Sequence, residues 1–217
     1  MKGEHLSEFK SFKPNPQGAI GSAPRAWVQR KGLKGVPDAR GLPVHKLDRR
    51  MLRKICRHPQ VDVLHAYACV MAWGGQRGNN PGLVYNAKAN RVWLKDRLER
   101  VRAGGHTCNK AYDLLCDRHV AGLGPAFLTK ILYFFSPKED KYIMDQWTAR
   151  SVNLLTGQPI VHLDNSNWVT RINTGKNYST FCTAVDRLSD QLGVPGPEVE
   201  YRLYASGTWR EYVRRMG

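Results

Sequence analysis

From His45 to the end of the chain, apolar residues recur at steps of three and four, a rhythm that restricts the fold to packed helices. Val61, Leu64, Ala68 and Met71 set the pattern, and Leu94, Leu98 and Val101 repeat it. Helices are expected over 48–57, 61–73, 91–103, 107–117, 125–135, 145–156, 178–192, 198–205 and 209–216. Period-two alternation is confined to 82–85 and 159–162, too little for a sheet. Residues 1–44 carry turn chemistry instead, in PNPQG, GSAP and KGVPDARGLP. The expectation is an all-α protein with a helical domain over 45–217 and an irregular basic N-terminal arm over 1–44. No internal repeat or low-complexity tract interrupts it.

Charge narrows the partner. The chain of 217 residues has a formal net charge of +16, and residues 1–60 hold 14 Lys/Arg against 4 Asp/Glu. Such a surface attracts phosphate backbones through counterion release, so a nucleic acid is the expected partner. No apolar run is long enough to span a bilayer, and MKGEHLSEFK lacks the apolar core of a secretion signal. A cytoplasmic monomer without membrane association is expected. Cys56, Cys69, Cys108, Cys116 and Cys182 are scattered with no CxxC pair, so neither a disulfide framework nor a zinc ribbon is implied. They also lack the clustering of an iron–sulfur loop, and no metal or cofactor is expected.

The chemistry concentrates in HVAGLGPAFLTKILYFFSPKEDKYIMDQWTARSV, which begins at His119. Gly122-Leu123-Gly124 between two helices has the form of a tight hairpin. Gly122 can take positive φ without cost, Gly124 lets the backbone approach an anion, and Pro125 suits the first helical position. The free amides of that N-terminus then favour a phosphate. Downstream, a single carboxylate, Asp145, opens the next helix, where an Asp is also a preferred cap.

This arrangement resembles the helix-hairpin-helix DNA glycosylases, closest to their 8-oxoguanine branch. The likeness is close over 107–156, with the hairpin motif at 107–135, and extends by helical pattern over 45–217. Asp145 lies twenty-one residues beyond Gly124, matching the family's layout. The resemblance implies two helical subdomains with the active site between them. It also implies base flipping from double-stranded DNA and excision of a modified base. Asp145 would be the catalytic carboxylate, stabilising positive charge on the sugar as the N-glycosidic bond breaks.

Members that also nick the strand carry a lysine two residues after the second glycine, where it forms a Schiff base. That position here is Ala126, so a monofunctional enzyme is expected, and a substrate other than 8-oxoguanine. Hypermodified bases of phage DNA, and hence antiviral defence, fit such a changed task; damaged-base repair is the alternative. Lys130, one turn on, is expected as a surface or phosphate-contacting lysine. A bifunctional enzyme using Lys130 is a further alternative, as is a catalytically silent hairpin protein that only binds DNA. Gly122, Gly124 and Ala126 would contact DNA, with His119 at a phosphate. Arg77, Asn79 and Asn80, on a glycine-rich loop over 73–82, would plug the duplex and read the orphaned base. Trp73, Trp147, Trp168 and Tyr133 are expected to pack in the core.

Overall fold

In a computed structural model, residues 1–33 and 39–216 are described, and among them are twelve α-helices and no strand. They are α1 (Gly3–Ser11), α2 (Pro24–Lys31), α3 (Arg49–Arg57), α4 (Val63–Trp73), α5 (Asn80–Tyr85) and α6 (Lys88–Ala103). Then come α7 (Cys108–Cys116), α8 (Pro125–Phe135), α9 (Gln146–Thr156), α10 (Gly175–Leu192), α11 (Gly196–Tyr204) and α12 (Thr208–Met216). The all-α expectation holds, with boundaries set by local chemistry. Asp62 caps α4 by accepting from Leu64 N and His65 N at 2.9 and 3.1 Å. Gly157 and Gly193 end α9 and α10 in the left-handed conformation. No described helix is long and apolar enough to cross a membrane.

The helices form two packed groups. α3 rests on α4 and α8, and α4 and α8 both pack on α6. On the other side α10 packs on α7, α9 and α11, and α9 also contacts α11 and α12. α8 joins the groups by packing on α7, across the hairpin. Consequently α8 is buried almost all round, from Leu128 through Phe135.

Residues 1–44, expected as an irregular arm, contain two helices and a 3-10 turn at Ala39–Gly41; residues 34–38 of the KGVPDARGLP stretch lie outside the described residues. Each helix docks one aromatic. Phe9 of α1 packs on Trp209 at 4.9 Å between ring centres, and Lys2 N donates to Leu155 O at 2.8 Å. Trp27 of α2 is buried against the other group and donates from Nε1 to Gln76 O at 3.3 Å. The segment thus straps both groups together, which its short and weakly amphipathic helices could not signal alone. Residues 82–85, expected as extended, belong instead to α5, which begins inside the supposed loop at Asn80.

The strap crosses the end of α4 closely. Gly21 has φ +73°, and a Cβ there would sit 2.4 Å from Ala72 O and 2.6 Å from Trp73 O. Gly21→Ala is therefore expected to cost about 1–3 kcal/mol, read as a lower urea midpoint.

Candidate active site

A cavity of about 990 Å³ opens between the two groups of helices. Its walls include Arg49 of α3, Trp73 of α4, the hairpin glycines, Lys130 of α8, Asp145 and Trp147, and Glu200 and Tyr204 of α11. The strap adds Ile20. Each wall comes from a different part of the chain, so the site exists only in the folded protein.

The hairpin is built as its sequence suggests. Gly122 has φ +83°, and a Cβ on it would come within 2.7 Å of Asn80 O. Gly124, by contrast, has nothing within 4 Å of where a Cβ would stand. Internal packing therefore does not require a glycine at 124, whereas close approach of a ligand to the backbone would. Gly124 offers no side-chain cap to α8, and Phe127 N and Leu128 N donate back to Gly124 O at 2.9 and 3.1 Å. The Ala126 amide is left at the helix N-terminus, aligned for an external anion. Two side chains brace the turn: Gln76 Nε2 donates to Gly122 O at 2.8 Å, and Arg171 Nη2 to Val120 O and Leu123 O at 3.0 and 2.5 Å. Neither was visible from the sequence, because Gln76 and Arg171 are each more than forty positions away from the carbonyls they hold.

Asp145 stands at the N-cap of α9. Its Oδ1 accepts from Trp147 N and Thr148 N at 2.9 and 3.2 Å, and Thr148 Oγ1 accepts from Asp145 N at 2.9 Å. This reciprocal capping box fixes the carboxylate in place. Every such bond from the backbone uses Oδ1, which leaves Oδ2 outside the cap, and Asp145 lines the cavity. Capping therefore occupies only one of the two carboxylate oxygens. The segment before it is tied to the hairpin helix, since Met144 N donates to Thr129 Oγ1 at 3.0 Å and Thr129 Oγ1 donates to Pro125 O at 3.1 Å.

Lys130 is not the surface lysine expected: it is only 8% exposed and lines the cavity. Its stem lies against Gly74, where a Cβ would come within 3.0 Å of Lys130 Cδ, and its Nζ donates to Ala126 O at 3.2 Å. A helix enclosed from Leu128 through Phe135 leaves no solvent face for the residue to use. Burial pushes its ammonium below the usual lysine range; Asp145 and Glu200 oppose that shift, and Arg49 adds to it.

Arg49 and Glu200 form the polar floor. Glu200 is fully buried, and both of its oxygens accept from Arg49, Oε1 at 3.4 Å from Nη2 and Oε2 closely from Nη1. Tyr133 OH and Gln17 Oε1 take further Arg49 donors at 3.0 and 2.5 Å. Trp73, Tyr133 and Tyr201 surround the guanidinium at 5.1–5.5 Å. Burial raises the Glu200 carboxyl above its usual range, against the opposing pull of Arg49.

Among the other expected residues, exposed His119 and Arg77 line the cavity, as does Asn80. Asn79 is exposed at the N-cap of α5 and is not part of the lining. Trp73 and Tyr133 are buried as expected, but Trp168 is 60% exposed at the cavity rim. A turn holds it there: Asp164 Oδ1 accepts from Ser166 N and Trp168 N, both at 2.9 Å, with Asn167 at φ +63°.

The hairpin, with its open helix N-terminus, and the capped carboxylate thus line one cavity between the two helical groups. The family profile described as "Putative 8-oxoguanine DNA glycosylase OGG-like protein" matches residues 15–204. The chain belongs to this family. No curated protein and no solved structure matches it. The matched span includes Gln17 and Ile20 of the strap as well as the hairpin, Asp145 and Glu200, so this OGG-like chain carries its cavity walls within the family region.

Proposed function

We propose that this chain is a DNA N-glycosylase that extrudes a modified base from duplex DNA into the cavity and hydrolyses its glycosidic bond. The observation that carries the reading is Asp145, which caps α9 through Oδ1 and lines the same cavity as the hairpin glycines. As the C1′–N bond breaks, its electron pair leaves with the base and positive charge develops on the sugar. The fixed carboxylate stabilises that charge and orients water onto C1′, leaving an abasic site. Exposed Trp168 at the rim offers a face on which an unstacked base can rest.

For the substrate, we propose a hypermodified base of the kind phages carry, which would give the enzyme a role in antiviral defence. Ala126 in place of a lysine and a cavity as large as about 990 Å³ support a base bulkier than 8-oxoguanine. Incubation with alkylated, uracil-containing, 8-oxoguanine-containing and phage-hypermodified duplexes, with mass spectrometry of released bases, tests this. Release from the hypermodified duplex is expected; release from the 8-oxoguanine duplex alone would return the enzyme to repair.

Buried Lys130 on the cavity wall favours a second reading, in which its amine gives up a proton, attacks C1′, displaces the base and, as the sugar ring opens, forms a Schiff base that leads to strand cleavage. Borohydride separates the two. Hydrolysis by water predicts no trapped enzyme–DNA adduct, whereas the lysine route predicts an adduct that disappears in Lys130→Ala.

A further inference from the structure

Three arginines gather around one ring beside the catalytic carboxylate. Trp147, two residues after Asp145, lines the cavity, and the guanidinium carbons of Arg150, Arg210 and Arg214 stand 5.1, 4.7 and 5.1 Å from its ring centre. They are therefore within about 10 Å of one another, no more than the Debye length of about 10 Å at 0.1 M salt, so their repulsion is not screened away. Burial and nearby Arg214 both push Arg150 below the usual arginine range.

Glu8 and Glu211 line a surface pocket beside Arg214, yet neither pairs with the cluster among the described residues. Among the described residues none of the three forms an ion pair, although Glu211 lies on the same helix as Arg210 and Arg214. Arg150 Nη2 and Arg210 Nη2 donate only to backbone carbonyls, of Val213 and Tyr204. The Nε atoms of Arg150 and Arg210 are buried without a partner. Elsewhere the protein pairs its clustered cations: Arg53 and Arg57 share Glu139, and Arg97 takes Asp96 and Asp117. Packing against Trp147 accounts for one cation well, but a cluster of three without an anion is left incomplete.

We infer that Arg150, Arg210 and Arg214 form a binding site for a DNA backbone phosphodiester, a second phosphate grip beside the cavity, on the side of Trp147 away from the hairpin. The inference rests on the DNA reading above and goes beyond it by assigning the α9–α12 side a share of the strand. Trp147 stands between the cavity and the arginines, so the hairpin amides and the cluster behind that ring would hold the strand at two separate points. Arginine suits this task because its planar fork matches the phosphate oxygens.

The test uses the full chain and a duplex containing a tetrahydrofuran abasic-site analogue, which cannot lose a base. Each phosphate of the analogue strand is replaced in turn by a neutral methylphosphonate, and affinity is measured for the parent and for the triple variant R150Q/R210Q/R214Q. The parent is expected to lose affinity at phosphates on both sides of the analogue. In the variant the penalty at one of these sides disappears while the hairpin-side penalty persists. The slope of log K against log salt also becomes shallower, by about 0.9 for each phosphate that the variant no longer neutralises. Identical penalty patterns and identical salt slopes in parent and variant would overturn the inference. Arg214→Gln alone, at an exposed position, supplies the same comparison if the triple variant fails to fold. Absence of salt-dependent binding in the parent would instead overturn the DNA reading itself, which keeps the two failures distinct.

Discussion

Asp145→Asn is expected to reduce base release on the order of 10²–10³-fold while leaving salt-sensitive DNA binding and the unfolding midpoint close to those of the parent. The reason lies in the division of labour between its oxygens. Oδ1 caps α9 through Trp147 N and Thr148 N, and asparagine retains an equivalent acceptor with equal capping preference. What the amide lacks is the negative charge facing the sugar. Asp145→Ala removes both functions and should additionally lower stability by about 1 kcal/mol. Single-turnover base release beside urea denaturation separates the two contributions. If Asp145→Asn released base at the parental rate, Asp145 would be a cap and nothing more.

Glu200→Ala is expected to destabilise the fold by about 3–5 kcal/mol, because it leaves the Arg49 guanidinium buried with its charge unpaired. Arg49 reaches Glu200 across 151 positions of sequence and binds Gln17 and Tyr133 as well, so the substitution loosens the strap, α3 and α8 together. Glu200→Gln keeps the shape and one acceptor and should cost less. Replacing the pair, with Arg49→Met beside Glu200→Met, should recover much of the stability while changing the cavity floor. Urea midpoints of the parent, the two single Met variants and the double variant make a double-substitution cycle for the pair. A Glu200→Ala destabilisation below about 1 kcal/mol would show that Arg49 finds other compensation.

The parts of the site legible in the sequence are those written in local chemistry. Gly122, Gly124 and Pro125 mark a turn into a helix by their backbone preferences, and Asp145 marks the next helix as its cap. The helical period is plainest in α6 and α10, which have a wet face to contrast with a dry one. Lys130 escaped for the opposite reason: α8 is enclosed by α3, α4, α6 and α7, and its one cation is drawn into the cavity rather than to solvent. Trp168 escaped because a short turn built on Asp164 turns it outward, and an isolated aromatic carries no periodicity. The strap hid in the same way, since Phe9 and Trp27 gain their burial only from partners in the two separate groups. Arg49 meets Glu200 only in the tertiary fold, as do Arg210 and Arg214 of α12 with Trp147 of α9.

One measurement reaches the central claim most directly: simultaneous counting of free bases and abasic sites in hypermodified duplex DNA treated with the parent protein and with Asp145→Asn. A glycosylase acting through Asp145 predicts free base and abasic sites in equal numbers with the parent, and almost none with Asp145→Asn despite intact binding. Duplex DNA bound by the parent but yielding neither product from any base in the panel would contradict it, and would leave the hairpin as a DNA-binding device alone.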